Sequence, residues 1–136
     1  MNKHGHVLNA VLLSIGLGAV LQPTWDFATI EMMLSLSVPV TLGALFPDVD
    51  TAFGKHRKTL HNLPVLAIFV AWPLYFGNLQ YVWIGVLTHY ILDVAGSKRG
   101  IALWYPLSPN ESNLPFGIPV SSSKATPVTV LITAVE

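Results

Sequence analysis

Histidine and aspartate recur in this chain where little else is ionisable: Asp48 and Asp50 in PDVD, His56 and His61 in HRKTLH, His89 and Asp93 in THYILD, with His6 near the start. Imidazole mixed with carboxylate is the ligand chemistry of zinc and similar divalent metals. The chain has no cysteine, which excludes thiolate ligands and disulfides. His89 and Asp93 are four apart, so on a helix they share a face, able to grip one ion or to hydrogen-bond each other. PDVD puts two carboxylates just past a helix end. They cap the next segment as an Asx-type turn, converge on a cation, or divide into one ligand and one base that activates a water. Thr51 follows, suited to orienting a ligand carboxylate. His56 and His61 are five apart, which is not one helical face; either the chain passes from loop to helix between them or only one is a ligand. Arg57 has the fork geometry that clamps a phosphate or carboxylate oxygen, or is an ordinary cation of a cytoplasmic loop.

The elements that carry these residues must be apolar. Of 136 residues 52% are hydrophobic and 10% are charged, against about 25% charged in soluble domains. Lipid is therefore the expected solvent. Net charge is zero, so no broad basic surface argues for nucleic acid. The length predicts one domain over residues 1–136. Apolar stretches at 7–21, 27–46, 63–76 and 79–95 predict an all-α, membrane-embedded bundle of four helices, followed by a proline-rich loop and a short apolar C-terminal tail. A span needs about 20 apolar residues, so the third stretch is short. The first, behind Lys3, has the outline of a secretory signal and is read here as a membrane helix. Pro23, Pro47 and Gly77-Asn78 mark helix ends, while Pro39 and Pro73 are expected to kink their helices without ending them.

Lys3 precedes the first helix, Lys55, Arg57 and Lys58 lie between the second and third, and Lys98 and Arg99 follow the fourth. The connections 22–26 and 77–80 carry neither lysine nor arginine. Positive residues on alternate connections predict that both termini are cytoplasmic. The same topology brings His6, Asp48, Asp50, His56, His61, His89 and Asp93 to the cytoplasmic face, and sends Asp26 and Glu31 to the other. His4 reads as an exposed terminal residue, and Glu111 and Glu136 as solvated. Residues 101–120 are too rich in proline for a regular element, and Trp104 and Tyr105 suit the headgroup level. The tail from Pro127, VTVLITAVE, reads as a short strand, a partial helix or a packing arm.

The ordered motifs GHVLNAVLLS, LFPDVDT, HRKTLHN, GVLTHYILDVAG and LWYPL together resemble the YdjM family, membrane-bound proteins proposed to be metal-dependent hydrolases. The resemblance runs from His6 to about Pro119 and implies a site made of His6, Asp48, Asp50, His56, Arg57, His61, His89 and Asp93. The family in turn is distantly similar to zinc-dependent phospholipase C and the S1/P1 nucleases, all-helical enzymes in which His-x-x-x-Asp with an upstream Asp and His binds zinc. This chain departs from the family pattern where Lys58 replaces a glycine, Leu60 and Asn62 flank His61, and Val94-Ala95-Gly96-Ser97 replaces Thr-Pro-x-Gly. Nothing after Asp93 supplies the later His, His and Glu of the phospholipase-like enzymes. One divalent ion, or two sharing Asp93, is therefore expected, with zinc the first choice.

These readings converge on a metal-dependent hydrolase of a phosphoester or related ester at the cytoplasmic face, where a lipid headgroup lies at the right depth. Asp48, His61, His89 and Asp93 would hold the ion, Asp50 or His56 would act as base or further ligand, and Arg57 would face charge developing on the substrate. Membrane lipid is the expected partner. The competing reading is a non-catalytic membrane protein, such as a viral or phage component, in which a metal clamps helix ends together.

Overall fold

The computed structural model describes residues 1–119 and 121–136. Its described residues form five α-helices: α1 (Lys3–Leu21), α2 (Phe27–Leu45), α3 (Leu63–Phe76), α4 (Val82–Ile91) and α5 (Ala125–Val135). A 3-10 turn, Pro47–Ala52, extends α2, and a π-helical turn, Leu92–Gly96, extends α4. No strand occurs among the described residues, only the isolated bridges Ser97 to Ile118 and Ile101 to Ser112.

Local chemistry sets the helix ends. Asn2 accepts from the Gly5 N–H to open α1, Asp26 accepts from Ala28 and Thr29 to open α2, and Asn62 accepts from Val65 to open α3. Gly77 closes α3 in the left-handed region at φ 68°, where a side chain would be strained. α2 continues through Pro39 and α3 through Pro73.

The expected bundle of four membrane helices is only partly met. Lys3–Leu21, and Phe27–Ala52 including the 3-10 turn, are long and apolar enough to cross a bilayer. α3 has 14 residues and α4 has 10; at about 1.5 Å per residue they rise about 21 and 15 Å, short of a hydrocarbon core of about 30 Å. The fourth apolar stretch loses its start to a turn before Val82 and its end to the π turn. The tail forms α5, which packs on α1 and on the π turn. Tertiary packing there overrides the strand preference of its Val, Ile and Thr residues. The proline-rich stretch runs as turns and bridges, as expected, and its last residue, Val120, lies outside the described residues.

Two acidic residues expected in solvent are engaged instead. Glu111 takes both arms of Arg99 at 2.8 Å. Glu136 accepts from Asn9 at 2.6 Å and from Thr88 at 2.7 Å, tying α5 to α1 and α4.

α2 and α4 cross closely. A Cβ placed on Gly43 would fall on the Val82 carbonyl, and one on Gly85 would fall on the Val40 carbonyl. Only hydrogen at these two positions permits the approach, which sets α4 against the last turn of α2. On its outer side α2 turns Ile30, Leu34, Val38 and Leu42 outward, an exposed apolar stripe at helical spacing.

Candidate metal centre

Four segments meet at one end of the bundle: the start of α1, the 3-10 turn, the loop before α3, and the end of α4 with its π turn. The sequence spreads these ligand candidates over nearly ninety positions, from His6 to Asp93. His6, His61, His89 and Asp50 are fully buried, and Asp93 is 1% exposed.

His6 stacks on His89 with ring centroids 3.7 Å apart and 11° between the planes. Neither nitrogen of His6 has a hydrogen-bond partner, and its Nε2 stands 3.5 Å from Asp93 Oδ1. A buried polar group left unpaired costs about 1–3 kcal/mol, so two bare ring nitrogens mark a place for a ligand. Asp93 Oδ1 also meets the Met1 amino nitrogen. His6, His89 and Asp93 each offer a donor atom within 4.8 Å of the others.

The second shared point lies between His61 and His89. His89 Nδ1 donates to the Ala44 carbonyl at 2.6 Å, and a carbonyl can only accept. His61 Nδ1 lies 3.0 Å from Asp50 Oδ2, again an acceptor. Burial first, then the neighbouring His89, holds the His61 pKa down at about 4. With each Nδ1 directed at an acceptor, the two Nε2 atoms are turned toward one another across 3.0 Å. Two imidazole nitrogens converging in this way are a ligand pair that a divalent cation can receive.

Carboxylates complete the set. Asp48 Oδ1 is 3.8 Å from each Nε2, and Asp93 Oδ2 is 3.8 Å from His61 Nε2 and 3.6 Å from His89 Nε2. Donors at zinc bond lengths of about 2.0–2.1 Å stand about 3.3–3.4 Å apart in a tetrahedron. The edges from 3.0 to 3.8 Å bracket that value. His61, His89 and Asp93, whose three separations are 3.0, 3.6 and 3.8 Å, fit three ligand positions of a divalent ion after shifts of a few tenths of an ångström, with Asp48 beside both rings.

Asp50 and Arg57 take positions different from those expected of a ligand or substrate clamp. Asp50 spends Oδ1 on His56 Nδ1 at 3.0 Å and Oδ2 on His61 Nδ1 at 3.0 Å, with the Leu60 N–H on Oδ2 at 3.3 Å. One carboxylate thus orients two imidazoles. Arg57, at φ 67°, turns its guanidinium inward. Its Nη1 donates to Ser97 Oγ at 3.0 Å, to the Gly100 carbonyl at 3.2 Å and to the Arg99 carbonyl, while Nη2 stands 3.7 Å from Asp93. Arg57 therefore braces the chain after the π turn. Thr51 donates to the Asp48 carbonyl at 2.8 Å and so holds the turn, not the carboxylate.

The outer side is less enclosed. The His56 side chain is 38% exposed and that of Asp48 is 15% exposed. Asp48, His56 and His61 form a second group whose donor atoms all lie within 4.8 Å.

Sequence reasoning missed Tyr90 and Asn62. The Tyr90 hydroxyl donates to the Leu60 carbonyl and receives the Asn62 N–H at 3.1 Å, fixing both neighbours of His61. Asn62, a departure from the family pattern, is the cap of α3, and Asn before Leu63-Pro64 was the available signal.

Apolar helices carrying a buried histidine and aspartate cluster at one end define a membrane protein with a candidate metal centre. The chain belongs to the YdjM family: the model of the YdjM inner membrane protein family matches residues 1–135. No curated protein and no solved structure matches it.

Proposed function

We propose that the chain is a membrane-embedded, divalent-metal-dependent hydrolase, with zinc the metal, acting on a phosphoester or related ester at the cytoplasmic face. The observation that carries this reading is the pair of Nε2 atoms facing each other across 3.0 Å, with Asp48 and Asp93 beside them. Asp48, His61, His89 and Asp93 would hold the ion. A second ion would share Asp93, whose Oδ1 faces His6 while Oδ2 faces His61 and His89. Bound there, the metal supplies Lewis acidity and lowers the pKa of a water to about 7.

The chain's own residues supply the rest. Asp50 holds the Nδ1 hydrogen of His56 and leaves its Nε2 free to accept a proton from water entering at the exposed edge, then to return it to the leaving group. Arg57 keeps Asp93 in place from behind. Cytoplasmic placement rests on the cations: contacts of Arg57 with the Arg99 and Gly100 carbonyls, and of Lys58 with Glu111, gather the positive segments at the cluster's end of the molecule.

The four donors are all protein groups, which is also the closed coordination of a structural clamp. Exposure of His56 favours the enzyme. Metal analysis and turnover of bis(p-nitrophenyl) phosphate by detergent-purified protein, alongside His89→Ala and Asp93→Asn, separate these readings. Stoichiometric zinc in the parent, its loss in both variants and parallel loss of turnover are expected. Full zinc with no turnover on any phosphodiester or lipid ester identifies the clamp, and no metal in protein prepared without chelator overturns both.

A further inference from the structure

Beside the cluster runs an apolar groove of about 730 Å³ between α2 and α3, a volume in the range of pockets that enclose a single small ligand. Leu42 lines it from α2 and Ile68 from α3, Phe46 and Phe69 meet edge to face with ring centroids 4.8 Å apart, and Val49 and Leu60 line it beside the cluster. Those last two are chain neighbours of Asp48 and His61. α3 buries none of its residues, so the groove stays open along its length. The polar hydrogen on its lining, Trp72 Nε1–H, is already given to Asn78 at 2.8 Å.

A groove of this kind cannot satisfy the N–H and C=O groups of a peptide. It does accept a hydrocarbon chain. An occupant that is apolar along its length and carries an oxygen-rich ester at the end beside Val49 and Leu60, the chain neighbours of Asp48 and His61, is an amphiphile. We propose that the groove binds one acyl chain of a membrane glycerophospholipid and thereby delivers its headgroup ester to the centre between Asp48 and His56. The proposal rests on the hydrolase reading for its chemistry, but on the groove alone for its binding.

Native mass spectrometry of protein taken through detergent exchange, then supplied with dioleoyl phosphatidylglycerol, measures the binding. The parent is expected to retain one phospholipid per chain. Ile68→Trp and Leu42→Trp, which fill the groove from α3 and from α2, are expected to reduce the retained fraction at least tenfold with zinc content unchanged. Leu34→Trp, on the exposed stripe of α2 at 65% exposure, is the control for loosely held lipid and should retain it. His89→Ala should lose metal and keep lipid. Equal retention in groove and control variants, no retention in the parent, or a lipid-free dimer overturns the proposal. Lipid retained by a parent with neither metal nor turnover removes the hydrolase and leaves the groove. Zinc and turnover of the small diester without retained lipid do the reverse.

Discussion

The two halves of the histidine and aspartate cluster differ in what holds them. The inner group, His6, His89 and Asp93, stands on α1, α4 and the π turn, is buried throughout, and stacks ring on ring. The outer group, Asp48, His56 and His61, stands on a 3-10 turn and a loop, and two of its members reach solvent. Helices fix positions through backbone packing, whereas a loop fixes them only through side-chain bonds, here those of Asp50 and Tyr90. The inner half is therefore the more rigidly held, and only the outer half reaches solvent.

Exchanging the halves' histidines one at a time is the strongest way to break that contrast. His56→Ala is expected to lower turnover of bis(p-nitrophenyl) phosphate by about 10²–10⁴-fold, the worth of a general acid or base, while zinc measured by elemental analysis stays near the parent value. His6→Ala should show the opposite balance, with the ion shared through Asp93 Oδ1 lost and proton transfer at His56 intact. If both variants lose metal equally, the cluster has no inner and outer half.

A smaller effect sharpens the role of Asp50. Because both its oxygens are engaged by His56 and His61, Asp50→Asn is expected to weaken zinc affinity by about 10–100-fold, measured by competition with a chelating dye. A loss as complete as that of Asp93→Asn would make Asp50 a direct ligand.

The smallest effect is one of pH. His61 has a folded pKa of about 4 against an ordinary 6.5. Between these values the unfolded chain binds the proton and the folded chain does not, so stability of metal-free protein should fall as pH drops from 6.5 towards 4. Thermal melts at pH 7 and pH 5 should show the decrease, and His61→Gln should reduce it.

Much of this was legible in the sequence because its signals are local. Leu63–Phe76 ends at Gly77 and forms as its apolar stretch predicts. His89 and Asp93 declared themselves by spacing, and α1 was recognisable from its apolar run. What was not legible depends on contacts between distant segments. Whether Asp50 is a ligand or an orienting group depends on how the loop folds back over ten residues to bring Leu60 and His61 onto it. Arg57 reads as a substrate clamp or an ordinary loop cation until the chain after Asp93 supplies the Arg99 and Gly100 carbonyls, 42 and 43 positions away. Glu136 looked solvated because its partners, Asn9 and Thr88, lie on other helices.

The bare backbone contact at Gly43 and Gly85 has a mechanical consequence. At that point α2 and α4 meet backbone to backbone, with the side-chain packing of Val40 and Ala44 against Tyr81 and Ile84 beside it. The carbonyl that steers His89 belongs to Ala44, one residue beyond Gly43. The partner of His89 Nδ1 is thus positioned by a backbone contact, and a side chain added at Gly43 or Gly85 would displace it.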